Sequence, residues 1–348
     1  MTSCNTLSNA IANRRNNLNL IKLMAALLVI VSHAYAFAIG YAKKDWFFVL
    51  TDGKGDLGGL AVSIFFFYSG LLISRSLLNN QDAKRYFKRR LVRIYPSFIL
   101  VTLAIVFLAA PFVTTLAPKE YFTNSETYAY LKNLIFLTEH DLPGVFVGNV
   151  YGTSVNGSIW TIRVEMFCYL FCYLFSMFGL LNKKRIIPSV ALYMLIAGIM
   201  GFGAISGISG MSSVIMPITM FYLGMVYTQH GDKINLNLVW TIFAGAGFII
   251  SCLFHQVIFA SMVFLPYILC YLAFATKKVP TGLNRMGECS YEIYLWGAFV
   301  GQMMTYMYGG NMSVYLNMAL TIPISLILGY ITNQLVSELT TKKISPKS

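Results

Sequence analysis

The sequence holds 348 residues, 57% of them hydrophobic and only 11% charged, with a mean hydropathy of +0.65. Soluble domains run at about 45–50% apolar and about 25% charged, so this composition excludes a soluble protein of such length. Lys and Arg outnumber Asp and Glu by 26 to 13, a net charge of +13, but no separate basic soluble domain is present to carry a nucleic-acid site. The excess reads instead as loop cations sorted by the positive-inside rule.

A span needs about 20 mostly apolar residues. Such runs predict ten spans, near 18–40, 57–78, 92–117, 159–181, 186–205, 211–229, 237–254, 257–275, 288–308 and 312–336. The expected fold class is therefore all-α, a polytopic membrane helix bundle forming a single integral membrane domain over 1–348 with no appended soluble domain. The 254–257 connection is short enough for a tight hairpin. With ten spans, Arg14 and Arg15, the run 84–93, Lys183 to Arg185, Lys233, Lys277, Lys278, Arg285, Lys342, Lys343 and Lys347 all fall on one side. The opposite loops are balanced or acidic: Lys43, Lys44 and Lys54 face Asp45, Asp52 and Asp56, and 118–158 holds Glu120, Glu126, Glu139 and Asp141. The expectation is two cytoplasmic termini and an external loop at 118–158. An Ala34-Tyr35-Ala36 cleavage-like pattern follows the first apolar run, but the many spans beyond it favour a retained helix.

Six cysteines, Cys4, Cys168, Cys172, Cys252, Cys270 and Cys289, form no C-x-x-C pair. Cys168 and Cys172 would share a helix face without accompanying His ligands, so they read as apolar filler and no metal is expected.

Ionisable groups inside a membrane are expensive and default to functional candidates, with snorkelling near helix ends as the plainer reading. In the first span Lys22 and His33 lie eleven residues apart, close to three turns, on one face and about 16 Å apart along the axis. Asn19 and Ala26 share that stripe. A buried neutral His suits general-base work, although a lone His is more often a satisfied core residue. In the second span, Ser69-Gly70 amid aromatic bulk suits close helix approach. Arg90 and Arg93, three apart on one face, suit phosphate contacts, with anionic lipid or simple anchoring as the alternative. The fourth span opens with Asn156 or Ser158 as a cap. Glu165 lies about two turns in with Thr161 on its face, placed to pair with His33, while Arg163 points elsewhere toward head groups. Glu292, in the ninth span, calls for a cation from another helix, Lys22 being one candidate.

These pieces resemble acyltransferase family 3, a family of integral membrane acyltransferases. Lys22 and His33 keep the spacing of its first-helix Arg and His. Phe66 to Leu72 match its F-F-x-x-S-G-x-L pattern with one position fewer between the aromatic pair and Ser69. Arg90-Leu91-Val92-Arg93-Ile94-Tyr95-Pro96 match its R-x-x-R before I-x-P. Asn156, Trp160, Thr161 and Glu165 match its N-x-x-x-W-(S/T)-x-x-x-E segment, and Ser290-Tyr291 to Tyr294-Leu295 its late S-Y-x-x-Y-L. Two positions depart: Lys22 replaces the Arg and so loses its planar fork, and Gly297 stands where the family often has His.

The resemblance implies transfer of an acyl group, often acetyl, from cytoplasmic acyl-CoA to a hydroxyl of a cell-envelope polysaccharide or lipid-linked glycan, with no metal. It implies a catalytic His33, assisted by Glu165. It puts Lys22, Arg90 and Arg93 on the donor, and Ser69, Asn156, Trp160 and Thr161 on the substrate. It implies a multi-pass protein of the inner, cytoplasmic membrane whose partners are the lipid bilayer and a carbohydrate or glycolipid acceptor, not nucleic acid. A polytopic glycan transporter or flippase would also explain the polar stripe and the external loop, but not the R-x-x-R before I-x-P. A glycan polymerase would use large external loops with paired Arg, and 118–158 has no Arg. The acceptor, the acyl chain and the oligomeric state stay open at this level.

Overall fold

The computed structural model of the chain describes residues 6–13, 16–40, 45–206 and 211–342. Cys4, Arg14, Arg15, Lys43, Lys44, Lys343 and Lys347 lie outside them. The protein is all-α and polytopic: in a membrane every backbone N–H and C=O must be paired within the segment, which a helix alone achieves for a single span. Among the described residues, six helices are long and apolar enough to cross a membrane. They are α1 (Leu18–Ile39), α2 (Leu57–Asn79), the run that begins with α3 (Ala83–Ala104), the run that ends with α4 (Gly157–Ile159 continuing into Trp160–Met177), α5 (Ile186–Ile205, preceded by the Lys183–Arg185 turn) and α11 (Val314–Lys342). A pair bent by 45°, α8 (Val257–Val263) and α9 (Leu265–Phe274), makes a seventh if taken as one span.

The other three expected spans are helices as well: α6 (Met211–Gln229), α7 (Leu238–Leu253) and α10 (Ser290–Met307). By length and apolarity, however, the count among the described residues is six or seven rather than ten. The 16 residues of α7 are short for a bilayer, α10 carries Glu292 and Gln302, and α6 adjoins residues outside the described set.

The third helix begins earlier than its apolar run. Asp82 accepts from the Arg85 N–H at 3.0 Å in the manner of an N-cap. Tyr86, Arg90, Ile94, Ser97 and Phe98 are buried at helical spacing, so the basic run forms the first turns of α3 and Pro96 falls inside the helix. Pro96 supplies no N–H to the Val92 carbonyl one turn back. The helix then passes through a π-turn, Ile105–Ala109, and a 3-10 turn, Ala110–Phe112.

Two compact units are present. The first comprises 1–25, 46–88 and 164–284. Its centre is the crossing of α2 and α6. A Cβ built on Gly70 would lie 1.9 Å from the Phe221 carbonyl oxygen, and one on Gly224 would lie 2.2 Å from that of Phe67. The two backbones touch because each helix offers a glycine to the other. α5 adds a stacked pair, Tyr193 on Tyr222 at 4.1 Å, with Thr219 and Ser189 on their hydroxyls. Asn17, just before α1, binds Thr276 Oγ1 at 2.7 Å and the Lys277 carbonyl at 2.8 Å, and accepts from the Val279 N–H. Lys183 and Asp232 pair at 2.6 Å on the surface. The Lys183 hydrogen bond holds the Asp232 carboxyl below its usual range, so this pair persists at neutral pH and is lost only in strong acid, as Asp232 protonates.

The second unit comprises 26–45, 89–163 and 285–348. Here α10 packs on α1 and α11 through glycines. A Cβ on Gly297 would meet Ile30 Cγ1 at 2.8 Å, one on Gly301 would meet Phe37 Cδ2 at 2.6 Å, and one on Gly329 would meet Ile293 Cγ1 at 2.6 Å. A buried polar ladder supports the α10 and α11 contact: Asn317 donates to the Gly301 carbonyl and to Thr305, and accepts from Thr321. The 118–158 segment folds as short helices and turns. Its Tyr121 donates to the Val106 carbonyl at 2.9 Å, and burial pushes that phenol up to about 12.

Candidate active site

Of the residues singled out in the sequence, Lys22, Ser69 and Glu165 belong to the first unit. His33, Arg90, Arg93, Asn156, Trp160 and Thr161 belong to the second.

α1 is one continuous helix and carries His33 in its last turns. The imidazole is half-buried and lies 5.2 Å, centroid to centroid, from Phe37 one turn on. Phe37 is buried and meets Tyr151 edge to face at 4.7 Å. The neighbouring Ser32 donates to Asp45 at 2.6 Å. Gly301 of α10 makes the room for the Phe37 ring, and Gly297 sits against Ile30, one turn before His33. The position where the family often has His is therefore a close helix contact in this chain, too tight for a side chain without displacing Ile30.

On α3, Arg90 is buried at 9% exposure while Arg93 is exposed. Lys84, Arg85, Lys88 and Arg89 are exposed on the same helix. One turn beyond Arg93, Ser97 donates to Glu292 of α10 at 2.6 Å. Glu292 is only 5% exposed. Ser97 is the hydrogen-bond donor that the structure gives to this carboxylate. Ser97 carried no sequence signal beyond helical spacing. Ser97→Ala leaves the buried carboxylate without its hydroxyl donor. The expected loss is about 1–2 kcal/mol of stability, read as a lower melting temperature of the purified protein in detergent.

The fourth-span motif and the late motif are hydrogen-bonded to each other. Asn156 accepts from the Ser158 N–H at 3.1 Å, capping the turn that opens the span, and donates to the Leu295 carbonyl at 2.8 Å. Thr161 and the Tyr294 hydroxyl lie 2.7 Å apart, and Tyr294 also reaches the Ser158 carbonyl. Asn156 and Thr161 are buried, and these internal partners use their polar groups; Trp160 stays half-buried.

In the first unit, Glu165 Oε1 accepts from Ser69 Oγ at 3.3 Å and from the Tyr169 hydroxyl. Two motif residues from separate helices thus share one oxygen, and Tyr169 joins them one turn along α4. Arg163 is exposed.

A family model described as an acyltransferase domain matches residues 15–335. An O-acetyl transferase of Shigella phage Sf6 is 28% identical over 158 residues, 45% of each chain. Nodulation protein 10 of Rhizobium leguminosarum bv. viciae is 29% identical over 170 residues, 46% of this chain and 43% of that protein. The matched stretches thus span less than half the length of these curated relatives. No solved structure matches.

Proposed function

The chain belongs to acyltransferase family 3, and on that premise we propose that it is a membrane O-acyltransferase moving an acyl group, acetyl in the first instance, from acyl-CoA to a hydroxyl of a cell-envelope glycan. The observation that carries this reading is His33, half-buried in a built aromatic setting, on a chain that also presents the paired arginines of α3.

The donor is an acyl-CoA on the cytoplasmic side, where the cation asymmetry of the loops puts α3 and both termini. Arg90 and Arg93 suit its phosphates: one is buried and pre-set, the other exposed on a basic helix start. The membrane is the inner, cytoplasmic one, and the 118–158 loop faces outward toward the acceptor.

Neutral His33 takes the proton of the acceptor hydroxyl as its oxygen attacks the thioester carbonyl. The C–S bond then breaks, and the leaving thiolate takes the proton back from the imidazolium. The products are an O-acyl ester and free CoA, with nothing else consumed. Glu165, held by Ser69 and Tyr169, keeps the assisting role that the family motif implies for it.

Arg93→Ala is expected to raise the KM for acyl-CoA by about tenfold or more, since a charge-assisted contact contributes about 1.5–3 kcal/mol. Steady-state rates at varied donor check this. Mass spectrometry of envelope glycan from cells with and without the protein tests the whole reading. It predicts O-acyl groups only with the protein present; an identical acylation pattern in both contradicts it.

A further inference from the structure

We infer that Gln302 is a positioning residue that clasps the Asn149–Ser154 loop over Phe37, the ring beside His33, and so sets the affinity for the acceptor. The inference rests on the acyltransferase reading above and deepens it.

Gln302 lies in α10 and is 0% exposed. Its carboxamide oxygen accepts from Asn149 Nδ2 at 2.9 Å, and the same Asn149 group donates to the Gln302 carbonyl at 3.0 Å. Its Nε2 donates to the carbonyls of Gly152 and Ser154, both at 3.0 Å. A glutamine has two side-chain donors, and both are used on the loop. The loop is pinned again where the Val150 N–H donates to the Gly310 carbonyl at 2.9 Å.

Between the clasped residues sits Tyr151, edge to face on Phe37. Phe37 in turn lies against the His33 ring and fits there because the residue before Gln302 is Gly301. One short stretch of α10 therefore makes space for Phe37 and also fixes the loop that covers it. Val150, Gly152 and Thr153 are exposed, so the loop has a bound inner side and a free outer side. Gly148 and Gly152 take φ of 97° and 101°, a backbone region that admits glycine and strains other residues. The turn is thus shaped to bring the carbonyls of Gly152 and Ser154 onto one amide.

An acceptor hydroxyl must come within hydrogen-bond reach of His33, and a misplacement of about 1 Å costs on the order of a hundredfold in rate. A covering segment held by three hydrogen bonds to one buried side chain and a fourth to its main-chain carbonyl is suited to set that placement. Nothing in the Gln302 contacts involves the arginines of α3, so the effect should fall on acceptor and not on donor.

The experiment uses the full-length protein in membrane vesicles, acetyl-CoA, and lipid-linked polysaccharide extracted from host cells lacking the protein. Gln302→Met keeps the length and removes the donors, and Gln302→Glu turns a carboxylate on two carbonyls. Asn149→Ala breaks the clasp from the loop side and serves if the helix variants fail to reach the membrane. Two readouts are taken: KM for polysaccharide against KM for acetyl-CoA, and the rate of chymotrypsin cleavage at Tyr151. The expected result is cleavage faster by about tenfold, a polysaccharide KM raised by about tenfold and an acetyl-CoA KM within twofold of wild type. A loop that stays protected in the variants overturns the clasp alone. So does faster cleavage with the polysaccharide KM unchanged, or an equal rise in both KM values. A wild-type protein that transfers no acetyl group overturns both this inference and the function it rests on.

Discussion

Replacing His33 with alanine is expected to lower acyl transfer by about two to four orders of magnitude, the range of general acid–base assistance. Membrane levels of the protein should remain normal. The imidazole is half-buried, and its ring contact is with Phe37, its neighbour on the next turn of the same helix. Gln at 33 keeps much of the volume and can hydrogen-bond, but it cannot take up a proton at neutral pH, so His33→Gln should be as inactive as His33→Ala. Transfer rates on vesicles, normalised to protein detected in the membrane, check both variants. A variant retaining wild-type transfer would remove His33 from the chemistry.

Gly70→Val should be the most damaging substitution to the fold. A Cβ at position 70 would lie 1.9 Å from the Phe221 carbonyl oxygen and 2.7 Å from its carbon. These are backbone atoms of α6 that cannot rotate away. Overpacking of side chains costs about 1–3 kcal/mol and occasionally more. Backbone against Cβ belongs at or beyond the top of that range, because the α2 and α6 crossing must open. Gly70→Ala already makes the clash, and Gly224→Ala repeats it from the other helix against the Phe67 carbonyl oxygen. Gly198→Ala is the control: a Cβ there meets nothing within 4 Å, and alanine is the better helix former. Melting of the purified proteins in detergent should show large losses at 70 and 224 and none at 198.

The helices were legible because apolar runs of span length admit little else in a bilayer, and every expected span is helical. Their limits were less so. The start of α3 lies in a basic run whose buried residues, Tyr86 and Arg90, recur one turn apart, a pattern that positive charge disguises. The break between α8 and α9 falls at Phe264, within an apolar stretch that reads as continuous, two residues before Pro266.

Ser69-Gly70 announced a close approach but not its partner. Contact between Phe221 and Gly70 depends on a crossing that neither stretch encodes alone. The same limit applies to the site. Asn156 and Thr161 were expected on the substrate by position in a motif; the structure ties them to Leu295 and Tyr294, so two motifs of the family lock to each other. Glu165 was read as a partner for His33, and its hydroxyl donors are Ser69 and Tyr169. Gln302 and Ser97 gave no signal because a single amide or hydroxyl in an apolar helix acquires meaning only from what faces it. Gly297, read as a departure from the family, is explained by Ile30 lying against it.

The most direct test of the central claim supplies radiolabelled acetyl-CoA to the cytoplasmic face of sealed vesicles containing the wild-type protein and extracted envelope glycan. Alkali-labile label recovered on the glycan, and absent with His33→Ala, is the predicted result. Glycan that crosses the vesicle membrane without acquiring label would contradict it and mark the protein as a transporter.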